Sequence, residues 1–295
     1  MTLMSLSIIE KLTSSLFFLI SGIIWKKLLT HNVNHTIIFY RTIFSIIFIV
    51  LSMVAYSYFD LFNYSFNSVL TASWIDWITV LGICFFSFWG LYFYTSAIQT
   101  GRYSFVSSLT SLSAFFSFII SLMVYDEPLN VSKGIAIGII VIGLLVHQKE
   151  NLMKVTLSKE VLLIILCSVF WGISFVFYLL PIKKFGVLNF SLILECCVFI
   201  SAVFLVQIKE KKRLPSKVTS NTFFYCVLIG LAVAAGSLLN NLTLTQIPVS
   251  YNISIGLFFE AIILLVGLYL FKEKLVQKDW ILLFVIAIGS GLLLF

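Results

Sequence analysis

Run after run of this chain is close to twenty apolar residues long, and the polar gaps between the runs are short. The hydrocarbon core of a bilayer is about 30 Å thick and takes about 20 helical residues to cross. Backbone groups in lipid find no water, so a crossing segment must satisfy its own hydrogen bonds. Unbroken apolar runs do that as helices. A membrane barrel needs strands of alternating apolar and polar residues, which this chain lacks. The sequence therefore specifies an all-α integral membrane protein.

Ten runs are long enough, at roughly 8–26, 35–58, 75–98, 103–125, 131–148, 159–181, 187–208, 220–244, 248–271 and 279–295. The longest connections are Asp60–Ser73 and the basic Lys209–Lys217. With 61% hydrophobic and 11% charged residues, no stretch is polar enough to make a soluble catalytic domain. The net charge of +7 sits mostly in connections. There it reads as topology signal and headgroup anchor, not as a nucleic-acid surface. Cys84, Cys167, Cys196, Cys197 and Cys226 all fall inside apolar runs without metal-ligand spacing, so they read as reduced, packed thiols. His31, His35 and His147 lie at run ends and form no metal constellation. No cofactor is expected. The first run is followed by no small-residue cleavage site and reads as a retained helix.

Sliding the chain on itself by 146 positions aligns landmarks. Gly90 meets Gly236, Glu127 meets Glu273, and Gly143 meets Gly289. Leu122, Leu129 and Ile142 meet Leu268, Leu275 and Ile288. Each half, 1–148 and 149–295, then holds five helices. Five is odd, so the second half enters the bilayer with the opposite orientation. Two inverted five-helix repeats are an architecture of alternating-access carriers, whose site lies near the midplane between the repeats.

Three strings carry a resemblance. Gly-Leu-Tyr-Phe-Tyr-Thr-Ser-Ala-Ile at 90–98 precedes a Ser-rich helix start and Asp-Glu-Pro-Leu at 126–129. Phe-Trp-Gly-Ile-Ser-Phe-Val at 170–176 opens the second half. Phe-Tyr-Arg at 39–41 places an arginine inside the second helix. In this order the chain resembles the drug/metabolite transporter superfamily, specifically the ten-helix EamA-type proteins. Lys183-Lys184 and Leu-Ile-Leu-Glu at 192–195 are similar to RarD-like members. Two departures stand out: Ile-Ser-Gly at 20–22 replaces the usual Trp-Gly, and Ala114 and Glu260 stand near the usual helix 4 and helix 9 prolines. The resemblance implies a secondary carrier for small organic solutes such as amino acids, often exporting them, without enzymatic chemistry. It also implies a plasma (inner) membrane location.

Ionisable groups inside the bilayer are costly and are functional candidates by default. Arg41, Glu195 and Glu260 qualify. Arg41 suits a solute carboxylate held bidentately; Glu195 and Glu260 are candidates for proton uptake and release. The competing readings are a structural Arg41–Glu195 pair and an Arg41 that snorkels to the helix end. Trp89, Tyr92, Tyr94, Trp171, Tyr178 and Tyr251 are candidate linings of an aromatic pocket, or members of the interfacial belt and the packing. Asn240, Asn241 and Asn252 are buried amides that need partners, from neighbouring helices or from a solute. Ser107, Ser108, Thr110, Ser111 and Ser113 suit a wet cavity or close packing. Gly22, Gly90, Gly172 and Gly236 suit close helix approach. Glu127 and Glu273 each precede a helix, where a carboxylate favours the positive end of the helix dipole.

Orientation signals conflict. With ten spans both termini share a side. That side carries Lys11, Lys133, Lys183 and Lys184, and the other carries fourteen Lys and Arg when Arg41 is left out. The positive-inside rule puts the termini outside, whereas the resemblance implies cytoplasmic termini. The partners expected are a small-molecule solute, the lipid bilayer and protons as a candidate coupling ion, with the chain a monomer or weak dimer. The rival readings are a non-transporting scaffold or sensor and a membrane-embedded lipid-processing enzyme. The enzyme would need clustered carboxylates, His pairs or metal ligands near an interface.

Overall fold

A computed structural model describes residues 3–58, 66–101, 103–125 and 159–272, with scattered helical positions within 134–143 and 277–292. Its elements are α1 (Leu3–Leu29), α2 (Asn34–Tyr58), α3 (Asn67–Leu70), α4 (Trp74–Thr100), α5 (Tyr103–Val124), α6 (Lys159–Phe177), α7 (Leu179–Phe185), α8 (Val187–Glu210), α9 (Ser220–Thr243) and α10 (Val249–Phe271). No strand occurs among the described residues. Six described segments are long and apolar enough to cross a membrane: Leu6–Leu29, Asn34–Tyr58, Trp74–Thr100, Lys159–Phe185, Val187–Glu210 and Ser220–Thr243. Helices α5 and α10 match the expected fourth and ninth runs. The expected runs 131–148 and 279–295, with Glu127 and Glu273, lie largely or wholly outside the described residues.

Local chemistry fixes the breaks. Ser73 caps α4 by accepting from the Asp76 backbone N–H at 3.3 Å, and Asp76 accepts in return from the Ser73 N–H at 2.8 Å. Thr219 caps α9 by accepting from the Thr222 N–H at 3.3 Å. The sixth run, expected as one helix, is interrupted at Tyr178. Pro181 lacks an N–H, and its ring collides with the carbonyl four residues back, at Phe177, where α6 ends. Gly186 then turns the chain into α8 at φ +84°, a conformation that suits glycine. The short α3, inside an expected connection, carried no periodicity to read.

Side-chain pairs give the helix directions. Ser7 at the start of α1 donates to Gln246 just past α9, and Lys27 at its end donates to Tyr225 near the start of α9, so α1 and α9 are antiparallel. Helices α4 and α6 are antiparallel through Ser87–Tyr178 and Tyr94–Trp171. Helices α2 and α8 are antiparallel through Phe39–Phe199 and Arg41–Glu195. Helix α2 runs parallel to α9, with Tyr40 on Phe223 and Ser45 donating to the Gly230 carbonyl. Helix α5 runs parallel to α6, with Ser117 donating to the Gly172 carbonyl and Tyr125 to that of Val176.

Glycine lets these helices touch backbone to backbone, which is how helices associate where lipid removes the hydrophobic drive. A Cβ on Gly172 would lie 2.7 Å from Phe116 Cβ and 3.2 Å from the Ser113 carbonyl. A Cβ on Gly230 would lie 2.6 Å from Phe44 Cβ and 2.8 Å from the Arg41 carbonyl. Gly22 abuts Tyr103, Gly90 abuts Trp171, and Gly236 lies against Phe17 and Phe18. The repeat mates Gly90 and Gly236 thus serve equivalent seams, α4–α6 and α9–α1. Overpacking a tight seam costs about 1–3 kcal/mol. Gly230→Leu is therefore expected to lower the thermal midpoint of the detergent-solubilised protein. Gly82→Leu, at a glycine with open space around its Cβ, should leave it unchanged.

Candidate functional site

A cavity of about 300 Å³ lies between helices of both halves. Each lining helix presents one face at helical spacing. Lys11, Ser15, Phe18, Gly22 and Trp25 form a stripe along α1, and Ser87, Leu91 and Tyr94 do so on α4. Helix α9 gives Val233, Ser237 and Asn240, and α10 gives Val249, Asn252 and Gly256. The offset of 146 maps 87, 91 and 94 onto 233, 237 and 240. It also maps Tyr103 and Thr110 of α5 onto Val249 and Gly256 of α10. All of these line the cavity.

One wall is aromatic. Tyr94 meets Trp171 at a centroid distance of 5.1 Å, Trp171 stacks on Phe175 at 5.5 Å, and Phe175 meets Tyr178 edge-on at 5.4 Å. All four line the cavity. The polar ends of this wall are satisfied: Trp171 Nε1 donates to the Ser87 carbonyl at 3.2 Å, and the Ser87 and Tyr178 hydroxyls share a 2.6 Å bond.

A second wall is polar. Lys11, buried at 8% exposure, donates from Nζ to Asn240 Oδ1 at 2.5 Å. Asn241 donates to Ser191 at 2.9 Å, and Asn252 donates to Thr243 at 2.7 Å. Buried amides thus find helix partners, as a low-dielectric site demands.

At the cavity's edge Arg41 and Glu195 form an ion pair. They are 2% and 4% exposed, so Arg41 does not snorkel. A single nitrogen, Nη1, donates to both carboxylate oxygens, at 2.7 and 2.9 Å, and lies 3.3 Å from Ser45 Oγ. Nε is buried and has no hydrogen-bond partner among the described residues. The guanidinium therefore keeps donor capacity beyond its pairing with Glu195.

Of the residues expected from sequence, Arg41, Tyr94, Trp171, Tyr178, Glu195, Asn240, Asn241 and Asn252 converge on this cavity. Trp89, Tyr92 and Tyr251 do not line it, and helix rotation is the reason. Trp89 and Tyr92 fall off the 87–91–94 stripe, and Tyr251 lies off the 249–252–256 stripe. Trp89 packs among Phe85, Phe88 and Phe93. Tyr92 accepts from Lys209, whose ammonium sits 4.9 Å from the ring centroid. The side chain of Glu260 lies outside the described residues, as do those of Ser107, Ser108 and Ser111. Thr110, Ser113 and Ser117 line the cavity. Lys11, Ser87 and Ser237 escaped the sequence reading. Lys11 looked like a helix-end charge, but α1 begins at Leu3, two turns earlier. Its stripe with Ser15, Phe18 and Gly22 was the signal available. Among the described residues no group of His, Cys, Asp and Glu could hold a metal ion, and the five cysteines are unbridged.

These features define a multi-pass integral membrane protein with an amphipathic cavity between its helices. The chain belongs to the EamA-like transporter family, whose model matches residues 5–147 and again 158–295. The drug/metabolite transporter superfamily is thus the right frame, and the plasma membrane is the family's usual location. One crystal structure of a protein superposes with a TM-score of 0.66 over 98% of this chain and 96% of the other, at 16% identity. That likeness shows the fold alone. No curated protein matches the sequence.

Removing one partner of a buried ion pair costs about 3–5 kcal/mol, because the other charge is left uncompensated. Glu195→Ala is therefore expected to be far less stable than Arg41→Met/Glu195→Met, in which both charges go. A double-mutant cycle of thermal midpoints in detergent reads the difference.

Proposed function

We propose that this protein is a secondary carrier that moves a small amphipathic metabolite, such as an amino acid or a related solute, across the membrane by alternating access. The observation that carries the reading is the amphipathic cavity, with aromatic rings on one wall and an ammonium and three amides on another. Family membership supports transport of small solutes. Opposite chain directions in one pair of corresponding helices support two inverted repeats: α2 and its mate α8 are antiparallel, and the equivalent seams α4–α6 and α9–α1 are both antiparallel. In this reading the chain has ten spans, with the fifth and tenth at 131–148 and 279–295. Export or exchange is the direction it favours, and the chain works as a monomer or weak dimer.

The solute's apolar body lies against Tyr94, Trp171 and Phe175. Its polar end meets Asn240, Asn241 and Asn252. Arg41 offers the donors that Glu195 leaves open to a solute carboxylate. Glu195 takes up a proton during the cycle and thereby loosens the tie between α2 and α8, with Glu260 a second proton-coupling candidate. The two halves then rock about the filled cavity.

Counterflow in proteoliposomes with a panel of radiolabelled metabolites, with and without a pH gradient, tests the reading. Saturable exchange of at least one amphipathic solute is expected, and Tyr94→Leu should raise its half-saturation concentration roughly ten-fold. If no solute on a broad panel exchanges, the carrier reading fails and a scaffold or sensor takes its place.

A further inference from the structure

We infer that the face bearing the α8–α9 connection is the cytoplasmic face, and that its exposed cations bind the anionic phospholipid headgroups of that leaflet. The N-terminal end of α1 and residues 66–73 then lie outside. This orientation is opposite to the one the family resemblance implies. It rests on the chain spanning the membrane and not on the identity of any solute.

The structure gathers the cations on one face. Lys26 at the end of α1 donates to the carbonyls of Ile98 and Gly101 at the end of α4, so these two ends lie together. Lys27 reaches Tyr225 at the start of α9. His35, at the start of α2, holds Glu210 at the end of α8 at 2.9 Å. Tyr103 at the start of α5 meets Phe271 at the end of α10. All these ends define one face. Beyond α8 it carries Lys211, Lys212, Arg213 and Lys217, all exposed. Lys159 and Lys272 add to it at the start of α6 and the end of α10. The described carboxylates at these helix ends are Glu160 and Glu210, and Glu210 is already engaged by His35, Thr36 and Ser216.

Among the described residues the opposite face is nearly bare of free cations. Lys11, which sequence counting assigns to it, is buried in the cavity wall. Lys184 pairs with Asp76 at 3.1 Å. Lys183 remains among the described residues, so geometry widens the asymmetry that composition suggested. Cations in short connections next to span ends are retained on the cytoplasmic side. There the anionic lipids of the inner leaflet attract juxtamembrane basic clusters. The exposed Leu214 sits inside this cluster, and exposed Thr71 sits on the other face.

Leu214→Cys and Thr71→Cys in the full chain, treated with a membrane-impermeant maleimide, read the orientation against the native-cysteine background. In intact cells Thr71→Cys should label, and Leu214→Cys should label only after permeabilisation. The reverse pattern overturns the inference, as does equal labelling of both in intact cells. Neutralising Lys211, Lys212, Arg213 and Lys217 to glutamine should raise Leu214→Cys labelling in intact cells roughly three-fold or more. In nanodiscs the unsubstituted protein should melt higher in phosphatidylglycerol than in phosphatidylcholine, and the neutralised variant should lose that difference. An unchanged difference overturns the headgroup contact while leaving the orientation to the labelling.

Discussion

Arginine and glutamate meet here where neither can reach bulk water, and much of the architecture follows from that meeting. Arg41 lies on α2 and Glu195 on α8, the corresponding helices of the two halves of the chain. A buried charge is tolerable only beside its opposite, so the two helices are held in register by a term that depends on both. Helix α2 also packs against α9 at Gly230, where the Arg41 carbonyl marks the closest approach. The ion pair and the glycine seam therefore act on the same turn of α2. One sets which way the helix faces, and the other sets how near its neighbour comes.

Much of this was legible in the sequence, because membrane helices advertise themselves by length. Eight expected runs coincide with described helices to within a few residues at most ends. The break at Tyr178 was missed because Pro181 sits late in an otherwise unbroken apolar run, and hydropathy does not register a lost N–H. The site was legible in part. Arg41, Glu195 and the three asparagines announce themselves by polarity inside lipid. Aromatic residues do not, since rings serve packing, belts and pockets alike. Only the helical phase separates Tyr94 from Trp89 and Tyr92, and phase follows from neighbours rather than composition. Lys11 was hidden differently. A lysine near a presumed helix end looks like an anchor until the helix proves two turns longer.

The repeat explains why the cavity has two unlike walls. Helices α4 and α9 present matched positions to it, 87, 91 and 94 against 233, 237 and 240. The backbone framework is shared, but the side chains are not. Tyr94 stands where its mate is Asn240. The tyrosine extends an aromatic wall through Trp171, and the asparagine accepts from Lys11. A strictly symmetric pair would give a cavity with two like walls, suited to a uniformly apolar or uniformly polar solute. Divergence at such matched positions makes the cavity amphipathic.

The same divergence bears on how such a cavity stays open. Glycines at the seams draw helices together, and an apolar cavity between such helices would close by ordinary packing. Here both walls are committed elsewhere: the rings stack on one another, and the amides are bonded to neighbouring helices. Groups already satisfied gain little by collapsing across the gap, while closing it would desolvate Lys11 and the free donors of Arg41 further. The space is therefore kept by polarity rather than by rigidity. A solute able to satisfy both walls at once would supply what collapse cannot.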